Sequence, residues 1–129
     1  MSRQKGPRPI ELKEQLFDIM WQSLGGIRSE KYLQRGLVQL DKVRDAFQHC
    51  RVSSIQKYNT ELFDYLEIRL MLSTVEVMLV SALTRQETRG THLREDYPEP
   101  DEEHGARSIV FKRRADRLVY RWMVNEQRY

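Results

Sequence analysis

The sequence predicts an all-α fold, an antiparallel three-helix bundle followed by an extended or β-hairpin C-terminal tail. Apolar residues recur every three or four positions along three long segments, which is the spacing of a buried helix face. The connections between these segments are short, which favours helices that pack antiparallel to their neighbours. The chain of 129 residues is long enough for one domain with its own core.

The first helix is predicted from Ile10 to Leu24. Residues 1–9 precede it and are predicted to form a linker, because a glycine and two prolines interrupt them and nothing apolar is available for burial. Gly25-Gly26 is expected to end the helix, with one glycine in the left-handed conformation that this residue adopts at low cost. The apolar stripe of the helix comprises Leu12, Leu16, Ile19 and Met20, widened by Phe17 and Leu24.

The second helix is predicted to start at Ser29, acting as the N-cap, and to end near Cys50. Gly36 lies beside its apolar seam and lowers helix propensity, so we expect a close approach of another helix there. The seam consists of Leu33, Leu37, Leu40, Val43, Phe47 and Cys50.

The third helix is predicted from Thr60 to Thr88, with Asn59 as its N-cap and Gly90 as the residue that ends it. Between Ile68 and Leu83 apolar residues occupy nearly every side of this helix. We therefore expect it to be buried more completely than the first two helices.

Composition excludes several classes of protein. The net charge of +3 is small and comes from scattered arginines, so it does not by itself imply a nucleic-acid or membrane partner. The single cysteine, Cys50, excludes an internal disulfide and a cysteine-rich zinc site. Charged and polar residues interrupt the most apolar window, so no membrane span is predicted, and no apolar signal-peptide region follows the N-terminus.

A dense group of charged residues follows the third helix, in the segment RQETRGTHLREDYP from Arg85 to Pro98. Arg85 and Arg89 are four positions apart, so they are predicted to share one face of the last helical turns. Arg89 is expected to pair with a carboxylate, either Asp96 or Glu87. On these grounds alone the segment is a charged helix end at the surface.

The order of these residues resembles the signature R-x-E-S-R-G-x-H-x-R-x-D-Y-P of a flavoprotein family. That family includes the flavoprotein subunits of succinate dehydrogenase and fumarate reductase, L-aspartate oxidase and the adenylylsulfate reductase relatives. Thr88 replaces the usual serine and keeps a hydroxyl group. The resemblance extends over Leu16–Met20, Gly25–Arg28 and Asn59, and it weakens after Asp101. The matching positions of the signature are Arg85, Glu87, Arg89, Gly90, His92, Arg94, Asp96, Tyr97 and Pro98.

The resemblance implies a C-terminal domain with a spectrin-repeat-like three-helix bundle, belonging to an FAD-dependent oxidoreductase. It implies FAD in the parent enzyme and a structural or docking role for this chain. The implied partners are the FAD-binding domain, on the same or a neighbouring polypeptide, and an iron–sulfur subunit. The implied localisation is cytoplasmic, or membrane-associated through partner subunits.

No catalytic, cofactor-binding or metal-binding residue is expected in this chain, which is not expected to be catalytic alone. It lacks the glycine-rich dinucleotide fingerprint, and the family's substrate-binding residues belong to domains upstream of this region. The eight signature residues from Arg85 to Tyr97 are instead expected to brace the bundle against the FAD domain by charge-assisted hydrogen bonds.

The chain is predicted to divide into a bundle at 10–90 and a tail at 91–129 that packs on it. Residues 95–103 carry six carboxylates and two prolines, which predicts an exposed, extended acidic turn. The runs Ile109–Lys112 and Leu118–Val124 are typical of two short strands or a hairpin. An alternative function is a stand-alone helical interaction module that binds protein or, with less support, nucleic acid, since basic and aromatic residues alternate in this tail without a known RNA-binding motif.

Overall fold

The computed structural model of the protein describes residues 6–55 and 57–125. The linker predicted at 1–9 falls mainly on residues outside this part, and the domain limits at 9–10 and 90–91 stay predictions. The elements, in chain order, are α1 Pro9–Leu24, β1 Ile27–Arg28, α2 Glu30–Phe47, α3 Thr60–Thr84, β2 Leu93–Arg94, α4 Glu102–Gly105, β3 Arg107–Arg114 and β4 Arg117–Val124.

The three long helices form the predicted up-down-up bundle. Lys13, early in α1, forms ion pairs with Asp64 and Glu67, early in α3, so these two helices run in parallel. After the end of α2, the backbone N–H of Arg51 donates to the carbonyl of Pro7, just before α1 begins. The α2 helix is therefore antiparallel to both, and the prediction of an antiparallel three-helix bundle is confirmed.

The core consists of aliphatic side chains that all three helices contribute. The 3.6-residue period of the helix places half of the predicted stripe positions of α1 and α2 in the core. Of these positions Leu12, Leu16, Ile19, Leu33, Leu40 and Val43 are buried, Met20, Leu24, Leu37, Phe47 and Cys50 are partly buried, and Phe17 is exposed. Burying such side chains stabilises the fold by about 1.5–3 kcal/mol each. The buried set comprises Leu12, Leu16, Ile19, Leu33, Leu40, Val43, Ile68, Leu72, Val75, Leu79 and Ala82.

Gly36 lies where α2 crosses α1 and α3, as predicted. A Cβ atom at this position would lie 2.5 Å from Ser23 Oγ and 3.0 Å from Leu79 Cδ2. These distances leave no room for a methyl group, so the glycine permits the close helix contact that the sequence indicated.

The helix α1 ends at Leu24, as predicted, whereas α2 ends at Phe47, three residues before the predicted Cys50. The α3 helix ends at Thr84, four residues earlier than expected, so Gly90 does not end it and Arg85 and Arg89 do not share a helical face. Gly25 has an extended conformation (φ −60°, ψ −161°), and among the described glycines only Gly90 has a positive φ. The left-handed conformation predicted at Gly25-Gly26 is therefore wrong, because the chain passes directly into the short strand β1.

The prediction that α3 is the most completely buried helix is wrong. Phe63 and Leu70 are each 71% exposed, and Leu66 and Met78 also lie on the surface. The buried residues of α3 lie on the one side that contacts α1 and α2, and many apolar side chains outside that side stay exposed. Apolar residues around a whole helix indicated burial, but two helices cannot cover all of it.

Two small sheets follow the bundle. The strands β1 and β2 pair in parallel, with Ile27 opposite Leu93 and Arg28 opposite Arg94, so the α1–α2 connection contacts the charged segment. The strands β3 and β4 form the predicted antiparallel hairpin. Its two-residue turn, Ala115-Asp116, has positive φ at both residues, which is the type I′ geometry that matches strand twist.

The hairpin contacts the bundle through one of its faces. Arg113 of β3 forms an ion pair with Glu76 of α3, and Trp122 of β4 lies beneath the guanidinium of Arg85. The acidic turn before it is largely exposed, as predicted, although its end forms the one-turn helix α4. In the part of the chain that the structure describes, no helix has the length and apolar character needed to cross a membrane.

Candidate functional site: an ionic cluster at the end of the bundle

The charged segment folds into a tight turn immediately after α3. The backbone groups of Arg89 and His92 exchange two hydrogen bonds, of 2.9 and 3.0 Å. Gly90, inside this turn, has φ +58°, a conformation that costs little only for residues such as glycine. The turn brings Arg28, Arg85, Glu87, Arg89, His92, Arg94 and Asp96 together, and we call these seven residues the ionic cluster.

Glu87 is a fully buried carboxylate at the centre of this cluster. Burial alone would raise its pKa, because the charged form loses hydration. The backbone N–H of Asp101 (2.7 Å) and the guanidiniums of Arg85 and Arg89 all donate to it, and together they hold the pKa of Glu87 below its usual value. Of the two partners predicted for Arg89, Glu87 is therefore the observed one.

Arg94 is buried, with 2% of its surface exposed, and forms a bidentate pair with Asp96. Its Nε and Nη2 atoms each lie 2.7 Å from a carboxylate oxygen of Asp96. Its Nη1 donates to the carbonyl of Ala82 at 2.6 Å, and Leu83 O lies at 3.3 Å. These are carbonyls of the last turn of α3, which have no partner within the helix, so Arg94 caps the C-terminus of α3.

Asp96 caps the start of α2 from the other side. Its Oδ2 accepts a hydrogen bond of 2.9 Å from the backbone N–H of Glu30, the first residue of that helix. The Arg94 guanidinium lowers the pKa of Asp96 to about 2. Ser29 occupies the predicted N-cap position, but its hydroxyl makes no capping hydrogen bond and is buried without a partner. Ser29 is therefore the N-cap residue, as predicted, but the carboxylate of Asp96, which is distant in sequence, makes the hydrogen bond in place of its hydroxyl.

Thr88 connects the turn to the strand that follows it. Its Oγ1 accepts from the backbone N–H of Arg94 at 2.9 Å and lies 2.9 Å from the carbonyl of Tyr97. The ring of Tyr97 in turn lies against the Arg94 guanidinium, with 5.0 Å between the ring centre and Cζ of Arg94. A hydroxyl group at position 88, from serine or threonine, is what this arrangement requires.

His92 is held between two groups that determine its tautomer. Its Nε2 lies 2.9 Å from the carbonyl of Arg85, which can only accept, so Nε2 carries the proton. Its Nδ1 lies 2.9 Å from Nη1 of Arg28 and therefore accepts. Burial, followed by the nearby arginines, lowers the pKa of His92, so the ring is neutral at pH 7.

Arg85 connects the cluster to the hairpin. Besides Glu87, it donates to the carbonyls of His104 (3.2 Å) and Arg107 (2.7 Å), and its guanidinium lies 5.1 Å from the Trp122 ring centre. These contacts position the hairpin beside α3. The result is a cleft of about 480 Å³ lined by Leu24, Arg28, Val77, Met78, Ser81, Ala82, Arg85, His92, Ser108 and Ile109.

The structure therefore brings the eight predicted signature residues into one site. Arg85, Glu87, Arg89, Arg94 and Asp96 bond to one another or to backbone groups, while Gly90, His92 and Tyr97 shape the turn and contact these residues. The sequence interpretation did not include Arg28, Asp101, His104 and Trp122. Arg28 had a usable signal, since it stands in the Gly25–Arg28 stretch that carries part of the resemblance, whereas the others had none.

The ionisable groups of this cluster bond mainly to one another and to backbone groups of the same chain. Both of its carboxylates accept from arginines, and His92 uses both ring nitrogens in hydrogen bonds within the chain. Over residues 6–55 and 57–125, no three His, Cys, Asp or Glu side chains are grouped as a metal site would require. The arrangement joins the α3 end, the α2 start, strand β1 and the hairpin.

Comparison with known proteins confirms the family resemblance. The family model described as "Fumarate reductase flavoprotein C-term" matches residues 13–127 of the chain. The fumarate reductase (CoM/CoB) of Methanothermobacter marburgensis contains a polypeptide that is 33% identical over 116 residues, which is 90% of this chain and 21% of that protein. The succinate dehydrogenase flavoprotein subunit of Coxiella burnetii is 27% identical over 106 residues, 81% of this chain and 18% of that protein.

Solved structures share the fold. The structure titled Mycobacterium smegmatis Sdh1 in complex with UQ1 superposes with a TM-score of 0.83 at 27% identity, covering 96% of this chain and 21% of that chain. Adenylylsulfate reductase of Archaeoglobus fulgidus has a TM-score of 0.84 at 23% identity over 98% of this chain and 20% of that chain, a likeness of fold alone. This chain spans about a fifth of the length of these relatives. With a family model that matches most of its length, the chain belongs to the family of fumarate reductase flavoprotein C-terminal domains.

Proposed function

We propose that this chain serves as the structural and docking domain of an FAD-dependent oxidoreductase of the succinate dehydrogenase and fumarate reductase type. The family match supports the identity of the parent enzyme, and FAD belongs to that parent. The parent transfers a hydride between the flavin and its substrate, while this chain supplies packing and positioning. The observation that carries this proposal is that the signature residues are engaged in contacts within the chain.

The ionic cluster supports the docking role by shaping a surface. Glu87 and Arg94 are buried, so their part is to hold the turn, the α2 start and the hairpin in one arrangement. Arg89, with 43% of its side chain exposed, and Gly90 then lie at the surface of that arrangement. We propose that the signature residues dock the bundle against the FAD domain in this indirect way.

The apolar surface of α1 and α3 supports the same role. Phe63 and Leu70 of α3 are largely exposed, and on α1 Trp21 is 81% exposed and Phe17 is 52% exposed. The ion pairs of Lys13 place the two helices side by side, and Phe17 lies one helical turn after Lys13. Exposed apolar side chains grouped in this way mark interaction surfaces, and large aromatic side chains contribute most to binding.

We propose that the FAD-binding domain, on the same or a neighbouring polypeptide, covers this apolar surface. We propose an iron–sulfur subunit of the parent complex as a further partner. Localisation in the cytoplasm, or at a membrane through such subunits, stays part of the proposal.

The test is association of two purified polypeptides, this chain and the flavin-binding part of the same enzyme, followed by sedimentation with detection at the flavin absorbance. The double variant Phe63→Ser/Leu70→Ser is expected to weaken the complex at least tenfold, because it removes two exposed anchors. Val38→Ser, a matched change at a residue of α2 that is 58% exposed, is expected to leave it unchanged. Equal binding by the wild-type chain, the double variant and the Val38→Ser variant would contradict the proposed surface.

The alternative function, a stand-alone interaction module, uses the same apolar surface for another protein. It is favoured only if the flavin-binding part fails to associate with the wild-type chain. If the chain binds nucleic acid, the affinity is expected to fall steeply as the salt concentration rises. Absence of binding at low salt removes that alternative.

A further inference from the structure

The cleft between the α1–α2 connection, α3 and the hairpin contains an arginine that differs from its neighbours. Arg85 and Arg89 share Glu87, and Arg94 pairs with Asp96. Within the described ranges, no carboxylate lies within ion-pair distance of Arg28. A half-buried guanidinium without a counter-ion is unusual, because burial of a charge is costly unless it is paired.

The Arg28 guanidinium is held in position by two neutral acceptors. Its Nε donates to the carbonyl of Leu24 at 3.2 Å, and its Nη1 donates to Nδ1 of His92 at 2.9 Å. An arginine carries five N–H donors, so three remain, one on Nη1 and two on Nη2. A carboxylate that approaches the ends of both Nη groups would accept two parallel hydrogen bonds, the bidentate geometry that guanidinium favours.

The charge around the cleft favours an anion. The ionic cluster contains four guanidiniums, of Arg28, Arg85, Arg89 and Arg94, against two carboxylates, of Glu87 and Asp96, which leaves a net charge of +2. His92 adds none, because its lowered pKa keeps it neutral. The cluster therefore has two positive charges that its own carboxylates do not balance.

The walls of the cleft define what the anion must carry. Leu24, Val77, Met78 and Ile109 line it with apolar surface beside Arg28. An inorganic anion would leave these side chains in contact with water, whereas a carboxylate on a short aliphatic stem would cover them. We propose that this cleft is a binding site for a carboxylate group on an aliphatic stem, with Arg28 as its bidentate ligand.

Two sources fit this chemistry, a free short-chain carboxylic acid and a glutamate or aspartate side chain presented by another polypeptide. The proposal concerns the residues of this chain and does not depend on the docking role of the apolar surface. It is tested on the purified 129-residue chain by NMR, with sodium butanoate as the probe and sodium chloride at equal ionic strength as the reference. The signals read are the Arg28 Nε–H, the His92 ring nitrogens and the Ile109 methyl groups.

Saturable shifts of these three groups with butanoate, and none with chloride, are the expected result. Arg28→Gln is expected to weaken binding at least tenfold, because it removes both the positive charge and the paired N–H donors of the guanidinium. Arg28→Lys keeps the charge but not the paired donors, and it is expected to weaken binding by a smaller factor. Arg35→Gln removes the same charge from an exposed position of α2 and is expected to have no effect.

Affinity separates the two sources. A Kd below about 1 mM for butanoate assigns the site to free carboxylic acids. Weaker but saturable binding at the same residues assigns the site to a side chain presented by a bound polypeptide. The high effective concentration of such a side chain compensates for its weak intrinsic affinity. The proposal is overturned if the wild-type chain shows no saturable shift, or if Arg28→Gln, with unchanged backbone spectra elsewhere, binds butanoate as well as the wild type.

Discussion

The bundle core and the centre of the ionic cluster, formed by Glu87 and Arg94, are both buried, but they are held together by different physics. The core consists of aliphatic side chains whose attraction has no preferred direction and depends on the area removed from water. In the cluster, two carboxylates and their arginines are bonded in specified directions to each other and to helix ends. A core of this kind tolerates exchange among residues of similar volume, whereas removal of Glu87 or Arg94 leaves the groups that they bond without those directed hydrogen bonds.

The largest effect is expected from Arg94→Ala. This change leaves Asp96 without its bidentate partner and the last carbonyls of α3 without a donor, so the free energy of unfolding is expected to fall by about 3 kcal/mol. Urea denaturation measures the change. Leu40→Met, a volume-conserving exchange in the core, is the control and is expected to cost less than about 1.5 kcal/mol.

If Arg94→Ala lowers the free energy of unfolding by no more than Leu40→Met does, the difference between the two regions is contradicted, because the cluster would then tolerate substitution as the core does. The exposed change Arg117→Ala shows the background effect of losing an arginine, which is expected to stay within about 0.5 kcal/mol.

The second effect concerns pH and distinguishes the two regions directly. The pKa of Asp96 is about 2 in the folded chain, below its ordinary value of 3.8, so the folded state binds this proton less readily than the unfolded state. The resulting stability, about 2 kcal/mol, is fully present above about pH 4 and is lost as the pH falls from about 4 to 2. Asp96→Asn removes this part of the acid dependence, which denaturation at about pH 3 and about pH 6 measures.

A difference between the two pH values that is the same in the Asp96→Asn variant and the wild type would contradict this assignment. Leu40→Met provides the comparison for the core, since it changes no titratable group and is expected to leave the pH dependence unaltered.

The third effect tests the close contact between helices in the core at Gly36. Gly36→Ala adds a methyl group that meets Ser23 Oγ and Leu79 Cδ2, which is expected to cost about 1–3 kcal/mol. This loss opposes a gain in helix propensity of about 1 kcal/mol. Ser23→Gly in the same chain is expected to recover part of the loss, because it removes the nearest side-chain atoms. Stabilisation by Gly36→Ala alone would show that the helices separate freely there.

The smallest effect is expected from Arg89→Ala. Glu87 keeps Arg85 and the Asp101 N–H as donors, and 43% of the Arg89 side chain is exposed to water, so we expect a loss of about 1 kcal/mol. Thermal unfolding at low and high salt measures it. A loss comparable to that of Arg94→Ala would mean that the exposed and buried arginines of the cluster contribute equally.

The sequence predicted the helices well because their signal is local. The period of apolar residues located α1, α2 and α3 in the described chain, and Asn59 caps α3 through its side chain, as predicted. The hairpin was also predicted from a local signal, two β-prone runs separated by a short interval.

The errors concern features that depend on distant neighbours. The helix α3 ends before the predicted Thr88, and it is less buried than predicted. Arg94 approaches its last carbonyls from a later segment, and one side of the helix stays uncovered; the local pattern of residues shows neither of these features. Ser29 satisfies every local rule for an N-cap, yet the observed hydrogen bond to Glu30 comes from Asp96.

By itself, the sequence determined the class of fold, the three helices and the family, because periodicity and the order of residues from Arg85 to Pro98 are properties of the chain. Only the tertiary structure decided which charges meet. The pairing of Arg94 with Asp96 at two helix ends, and the position of Arg28 without a carboxylate among the described residues, depend on the turn at Gly90 and on the parallel pairing of β1 with β2. Electrostatic and hydrogen-bond energies depend on distance and direction in space, and sequence separation determines neither.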